Sequence, residues 1–300
     1  MPDVTVRDAR PDDAAAIGVV WASAFPYLVR SDARAAADIR EDATLGRRRW
    51  VGLVDGEVAG TATARQVSDE EVFLTVEVSD DKGSRGVGSA LMTTLLPAVA
   101  EVPLLTSISR SDPISLAFGI RHGFLPVGEH RVARIDPSTV PAAGPVPAGL
   151  DAVSLDTVDL EALLDTHNLA GDDDPSGMTH HYTMETFLAE WWNSPDNAPE
   201  LSWALVEPET GRVAGFTSVQ VDRPRRRAWS SMTATRPEHR GHGLATWLKT
   251  RSLNALAGAG VRAAWTANDS TNEAMIAVND RLGYRPTETA VRIQRRLLPH

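Results

Sequence analysis

Cysteine is absent from the 300 residues. That excludes disulfides, thiolate metal sites and an acyl-cysteine intermediate, so any acyl transfer here would be direct attack on the donor within a ternary complex. Long apolar runs are also missing. The longest, around Leu91 to Ala100, contains Pro97 and falls far short of a membrane span. Met1-Pro2-Asp3-Val4 shows no basic region followed by an apolar core, so no signal peptide and no membrane partner are expected, and the chain reads as cytoplasmic. Positive charge is in deficit, with 30 Lys and Arg against 40 Asp and Glu for a formal charge of −10. Contact with phosphate backbones needs clustered Lys and Arg, so no nucleic-acid partner is expected. The one dense basic cluster, Arg223 with Arg225, Arg226 and Arg227 around Pro224, reads as a solvated hairpin loop.

What is present fits ordinary globular chemistry. Hydrophobic residues make up 42% and charged residues 23%, and a length of 300 residues favours two domains over one. Residues 136–149, DPSTVPAAGPVPAG, are rich in Pro, Ala and Gly with no hydrophobic period, which is linker composition with nothing to pack on a core. The division expected is a first domain over 1–136, a linker over 137–149 and a second domain over 150–300.

The two pieces repeat one internal order. In the first, the hairpin RRWVGLVDGEVAGTATA turns at Asp55-Gly56, and the strand VFLTVEVS runs into the glycine-rich GSRGVGSALM. In the second, LSWALVEPETGRVAGFTSVQV turns at Thr210-Gly211, and AWSSMTATRPEHRGHGLATWL repeats strand, glycine turn and helix. Gly86 and Gly243 stand 157 residues apart, and the glycines of RHGF and RLGY stand 160 apart, two landmarks that agree closely. Each piece reads β-α-β-β-β-turn-α-β-α-β, a mixed sheet with helices packed on it. After the turns, Val87, Leu91, Leu95 and Val99 form one helical face, as do Leu244, Trp247, Leu248 and Ala255.

A strand that stops at a glycine turn and opens a helix leaves several backbone N–H groups unpaired at the positive end of the helix dipole. That is an anion site suited to a pyrophosphate. In the second piece the turn reads Arg240-Gly241-His242-Gly243-Leu244-Ala245. Alone it does not separate nucleotide from dinucleotide or CoA sites, because all three use the same physics. A Rossmann site is disfavoured, since the turn follows the fourth strand of a hairpin unit and not the first of a parallel βαβ.

With TATRPEH before it and AWTANDSTNEAMIAVNDRLGYRP after it, this turn resembles the acetyl-CoA motif of the GNAT superfamily, Gln/Arg-x-x-Gly-x-Gly/Ala after a strand, and the second block resembles the pantetheine-flanking segment of the same family. The tandem layout is similar to that of mycothiol synthase and related two-domain members. The resemblance implies an α/β fold, an α+β mixed sheet in two tandem GNAT-like acyl-CoA N-acyltransferase domains. It implies acetyl-CoA as co-substrate, no metal, and a small-molecule amine as acceptor, in a monomer or homodimer. By that resemblance, Thr233, Ala234 and Thr235 bond the pantetheine through the main chain. Arg240, Gly241, His242, Gly243, Leu244, Ala245 and Thr246 hold the pyrophosphate, and Asn268, Asn272 and Asn279 border the pantetheine arm. Capping is the structural reading of Asn268 and Asn272. A splayed pair of strands is expected to present backbone donors to the thioester carbonyl.

The first piece departs from the motif. It offers Arg85, Gly86 and Gly88, but glycine stands at the Gln/Arg position and SDPISLAFGIRHGF lacks the asparagines. It either binds CoA weakly or is a relic that supports the other piece, and the relic is favoured. Catalysis is less defined. The family's acid tyrosine corresponds to Asn279 in the second piece and Gly119 in the first, and AWSSMTAT contains no carboxylate. Candidate bases are Asp172, Asp173 and Asp174 with His180 and His181, or a helix N-terminus solvated in the same place. Glu77 occupies the strand position where a base often sits, and is as readily an edge glutamate. Of Trp191 and Trp192 only one can face inward, which leaves the other for an acceptor pocket. A non-catalytic acyl-CoA sensor is the alternative function.

Overall fold

The computed structural model describes residues 3–68, 71–79, 86–99, 102–110, 112–172, 174, 179 and 181–296. They form two compact units that exchange ends along the chain: one comprises Met1–Glu129 with Thr289–His300, the other His130–Glu288.

The first unit contains β1 (Val4–Asp8), α1 (Ala14–Ala24), α2 (Asp32–Glu41), β2 (Arg47–Val54), β3 (Glu57–Ser68), β4 (Glu71–Val78), α3 (Val87–Val99), β5 (Leu104–Ser109) and α4 (Pro113–Arg121). Strands β1 to β4 pair antiparallel in sequence order. The β2–β3 hairpin closes on Asp55 and Gly56, both at positive φ (52° and 86°), the two-residue turn whose twist matches its strands. Next to β4 lies β5, parallel, paired only at Val72↔Leu104 and Phe73↔Leu105. The strand beyond β5 comes from the far end of the chain: residues 290–295 pair antiparallel with it. Val87, Leu91 and Leu95 of α3 are buried against Trp50, Ala62, Leu74 and Leu104, as their spacing predicts, whereas Val99 is only partly covered. On the other face Ile17 and Trp21 of α1 and Ala35 of α2 pack on Val51.

The second unit holds β7 (Asp151–Ser154), α5 (Leu160–Gly171), the short α6 (Met184–Phe187) with a π-turn over Leu188–Trp192, β8 (Trp203–Val206), β9 (Val213–Asp222), β10 (Arg227–Thr235), α7 (Leu244–Gly258), β11 (Ala263–Asp269) and α8 (Glu273–Leu282). Strands β7 to β10 are antiparallel neighbours. The parallel neighbour of β10 is β11, and β11 pairs on its other edge with residues 130–135. Those residues end β6 (Leu125–Ile135), just as 290–295 end β12 (Arg285–Arg295). Almost every residue of β9 is buried, as expected of a strand covered on both faces. Leu155, Leu163, Phe187, Trp191 and Phe216 fill one side, and Leu205, Ala214, Leu244 and Leu248 lie on the α7 side.

The Pro/Ala/Gly stretch is not the bare tether its composition suggests. Val140 is buried in the second unit's core. The Asn254 amide accepts from Ala143 N (2.8 Å) and donates to Pro141 O (3.0 Å), and the Trp247 indole donates to Gly144 O (3.0 Å). Proline-rich segments keep unpaired carbonyls, and α7 supplies side-chain donors that satisfy them. In the basic turn, Arg225 and Arg227 both reach the buried Asp222 (3.0 and 3.2 Å), and Arg223 pairs with Glu200.

Candidate acyl-donor site

In the second unit, β10 and β11 run together only briefly. They pair at Arg227↔Ala263, Ala228↔Ala264 and Trp229↔Trp265, after which β10 continues to Thr235 and β11 to Asp269 without each other. A bulge between Ser230 and Met232 marks the parting, where the register of β10 against β9 shifts by one residue. Beyond it the facing strand edges carry backbone donors and acceptors that no strand pairs, so an extended ligand can add between them. Thr233, Ala234 and Thr235 lie along that opening, and the Thr233 hydroxyl is held by Thr217 at 2.8 Å.

At the end of β10, a single 3₁₀ turn over Pro237–His239 leads into the glycine segment. Its side chains are tied down. Arg236 bonds Asp165 (2.6 Å) and Thr166 Oγ1 (3.0 Å), and Glu238 pairs with Arg212. Burial opposes the Arg236 charge, but its carboxylate partners hold its pKa above the ordinary arginine value. Glu207 bonds His239 Nε2 at 2.9 Å, and the Thr210 hydroxyl followed by His239 keeps its carboxyl below the usual range. Sequence reasoning overlooked these contacts because Arg236 and Asp165 are 71 residues apart.

Gly241 and Gly243 both adopt left-handed backbone (φ 78° and 80°). Only glycine does so without strain, and a Cβ on either would meet open space, so conformation and not crowding requires them. Gly243 is the N-cap of α7, no side chain caps that end, and the first turn carries no acid. The helix therefore presents its opening N–H groups and dipole to an anion. Arg240 is exposed beside them, its Nε donating to Thr235 O at 3.1 Å. His242 is exposed, Leu244 is buried in the core, and Ala245 and Thr246 are half-buried.

The three asparagines separate. Asn272 caps α8, its Oδ1 accepting from Met275 N (3.2 Å), as the capping reading has it. Asn279 is buried and donates to Asn268 Oδ1 at 2.6 Å, on the part of β11 that has left β10. The amide oxygen of Asn279 is buried without a hydrogen-bond partner. An amide placed there donates a hydrogen bond but has no proton to release.

The candidate bases lie elsewhere. Asp174 Oδ2 accepts from Thr179 N (3.0 Å) and Thr179 Oγ1 (2.6 Å), a local structural role. Asp172 and His181 Nε2 meet at 2.7 Å with both side chains more than half exposed. Asp173 and His180 fall outside the described residues. Trp191 is buried and Trp192 half-buried, and both rings pack on Phe187 in the same cluster, so the expectation that only one faces inward does not hold.

The first unit parts its strands in the same way but equips them differently. Glu77 on β4 is 2% exposed, not an edge glutamate: one oxygen bonds Arg30 Nη1 (2.5 Å) and Oε2 has no hydrogen-bond partner. Gly86 is left-handed (φ 87°) before α3, and a Cβ added at Gly88 would meet the Phe118 ring at 3.5 Å, an ordinary contact. Arg85 falls outside the described residues. A Cβ at Gly119 would come within 2.6 Å of Ile293 Cδ1, so a larger residue there requires the end of that side chain to shift.

Unmentioned by any motif is Lys249. It is 3% exposed on α7 and donates to Ser230 Oγ at 2.9 Å, with no carboxylate paired to it among the described residues. Burial drives its pKa from 10.5 down to about 7. The helical spacing held a signal, since Lys249 shares a face with Ser252, Leu253 and Leu256, all buried.

Residues 164–284 match the model of the Acetyltransferase (GNAT) family. No curated protein matches the chain. Among solved structures, the GCN5-related N-acetyltransferase from Sphaerobacter thermophilus aligns over 99% of this chain and 96% of its own at 22% identity, with a TM-score of 0.71. A tandem GNAT protein from the clavulanic acid biosynthesis pathway aligns over 99% and 100% at 22% identity, with a TM-score of 0.75. A GCN5-related N-acetyltransferase from Kribbella flavida aligns over 88% and 95% at 16% identity and a TM-score of 0.53. At these identities the likeness establishes the fold. Among the described residues, no helix is long and apolar enough to cross a membrane, and no group of three His, Asp or Glu side chains is placed to hold a metal ion.

Proposed function

We propose that this chain, an acyltransferase with a GNAT-family domain over residues 164–284 and the tandem GNAT fold over its length, transfers an acetyl group from acetyl-CoA directly to the amine of a small molecule, using the second unit. The observation that carries this reading is the uncapped, acid-free N-terminus of α7, opened by two left-handed glycines at the end of a strand that has parted from its parallel neighbour. The pyrophosphate fits the helix end with Arg240 beside it, and the pantetheine fits between β10 and β11 against Thr233–Thr235.

In the reaction the acceptor nitrogen attacks the thioester carbonyl, the C–N bond forms and the C–S bond breaks, and the CoA sulfur leaves as thiolate. The carbonyl oxygen gathers charge, which backbone N–H groups at the bulge are suited to stabilise. The ammonium proton needs an acceptor, and β10 offers none, since its residues are RAWSSMTAT. The exposed Asp172–His181 pair is the proposed relay to solvent. Asn279 is proposed to donate a hydrogen bond toward the sulfur. The same lack of a carboxylate or histidine on β10 favours a second reading, a sensor that binds acyl-CoA without turnover.

Calorimetric titration of acetyl-CoA into the wild type, Arg240→Glu and Gly86→Glu tests the donor site. Saturable binding lost only in Arg240→Glu supports it, and unchanged binding in that variant refutes it. Release of free CoA thiol in the presence of a panel of small amines then separates enzyme from sensor.

A further inference from the structure

The interior of the second unit contains a small cavity between α7 and the sheet. It is lined by Thr217, Ser230, Lys249, Ser252 and Tyr284 among apolar neighbours. Ser230 is the first residue of β10 past its last pair with β11, so the cavity lies under the point where the strands part. The bulge there is bracketed by two side-chain ties. Before it, Lys249 Nζ donates to Ser230 Oγ at 2.9 Å. After it, the Thr217 hydroxyl reaches Met232 O (3.3 Å) and Thr233 Oγ1 (2.8 Å).

A lysine is not what the fold requires in this position. Six residues after the corresponding glycine, the first unit has Met92, and past the last parallel pair it has Leu74; both are buried in an apolar core. There β4 pairs with β3 without a register shift from Gly60↔Val78 to Gln66↔Val72. Polar pair and bulge therefore occur together in one unit and are both missing at the matching place in the other.

We propose that Lys249 is a positioning residue of the donor site: as an uncharged amine it holds Ser230 and the bulge, and so sets the backbone of Thr233–Thr235 against which acetyl-CoA lies. This rests on the donor-site reading above. A buried amine with one hydroxyl partner and no carboxylate paired to it among the described residues is costly to protonate, and its charged form favours a shift of α7 away from β10. Burial brings that protonation to about pH 7. Tyr284, the one other titratable group lining the cavity, stays neutral because burial pushes its phenol up; Lys249 Nζ lies 5.2 Å from its ring centroid. If only the neutral form binds well, donor affinity falls up to about tenfold for each pH unit below 7.

The test is calorimetric titration of acetyl-CoA at pH values from 6 to 8.5 into wild type, Lys249→Met and Ser230→Ala, with folding checked by melting. Groups common to all three variants, the phosphates of CoA among them, cancel in the ratio of wild-type to Lys249→Met affinity, which isolates the amine. The expected result is a ratio that drops by about fivefold between pH 7 and 6, with a weakened drop for Ser230→Ala, which retains the amine but loses the tie. Should Lys249→Met fail to fold, the Ser230→Ala profile against wild type decides. A ratio constant over the whole range, or a Ser230→Ala profile equal to wild type, overturns the positioning role while leaving the donor site standing. No binding by wild type at any pH overturns the donor site itself, and this inference with it.

Discussion

The two units part a parallel pair of strands by the same topology and then place different titratable groups beside the gap. In the first, β4 brings the carboxylate of Glu77 into the interior, answered by Arg30, while the point of parting is lined by Leu74 and Met92. In the second, β10 brings no carboxylate, and the point of parting holds the amine of Lys249 against Ser230. The same division shows in the buried charges. The first unit balances Arg47 and Arg49 of β2 with Asp38 of α2 and Asp42 at its C-cap, whereas Lys249 has a hydroxyl and no counter-ion among the described residues. A balanced cluster is costly to break from either side, and a lone base is costly mainly when protonated. One fold thus carries two interiors, a neutralised one and a titrating one, and the second adjoins a helix start with Arg240 beside it.

The widest contrast is expected at the turns. Gly243→Asp adds a Cβ at φ 80° and a negative charge where an anion is to bind, and should weaken acetyl-CoA by more than about a thousandfold, or roughly 4 kcal/mol, whereas Gly86→Asp should leave titrations unchanged. Equal losses would erase the difference between the units. Next is the exchange of interiors. Met92→Lys buries an amine against Leu74 with no hydroxyl to receive it, and should cost about 3 kcal/mol in the melting transition.

Lys249→Met should do the reverse, and the sign follows from linkage. The folded pKa of about 7 lies below 10.5, so between those values the unfolded chain binds a proton that the folded chain does not. Wild-type stability therefore climbs as pH rises through that window, with the full deficit present below pH 7. Melting of Lys249→Met at pH 6, 8 and 10 should lack this climb. Arg30→Ala leaves the Glu77 carboxylate buried and alone; because Arg30 is partly exposed, the loss should be about 1–2 kcal/mol, recovered largely in Arg30→Ala/Glu77→Gln. Smallest is Glu207→Gln, which loosens His239 beside the donor turn and should weaken acetyl-CoA about twofold.

Much of this was written locally in the chain. The hairpins at Asp55-Gly56 and Thr210-Gly211, the glycine turn and the α3 face follow from dihedral preference and from periodicity, both short-range properties. The site's supports were not legible in the same way. Arg236–Asp165 and Arg30–Glu77 join residues 71 and 47 positions apart, and no local pattern encodes such a meeting. Lys249 was hidden by its own charge, since a lysine on a helix is ordinarily assigned to solvent even when its neighbours at three, four and seven residues on are buried. The partners of β6 and β12 escaped for another reason: alternation identifies a strand and says nothing of which strand it will join.

That last feature bears on how the molecule could be taken apart. Residues 130–135 complete the sheet of the unit that follows them, and residues 290–295 complete the sheet of the unit that precedes them. A cut near residue 145 would yield two polypeptides, each missing its own outermost strand and carrying the one the other lacks. Neither would be a finished protein by itself, with β5 or β11 left as a bare edge open to whatever strand arrives first. Supplied together they would complement each other as a two-chain assembly, and a severed backbone would leave the molecule still one thing.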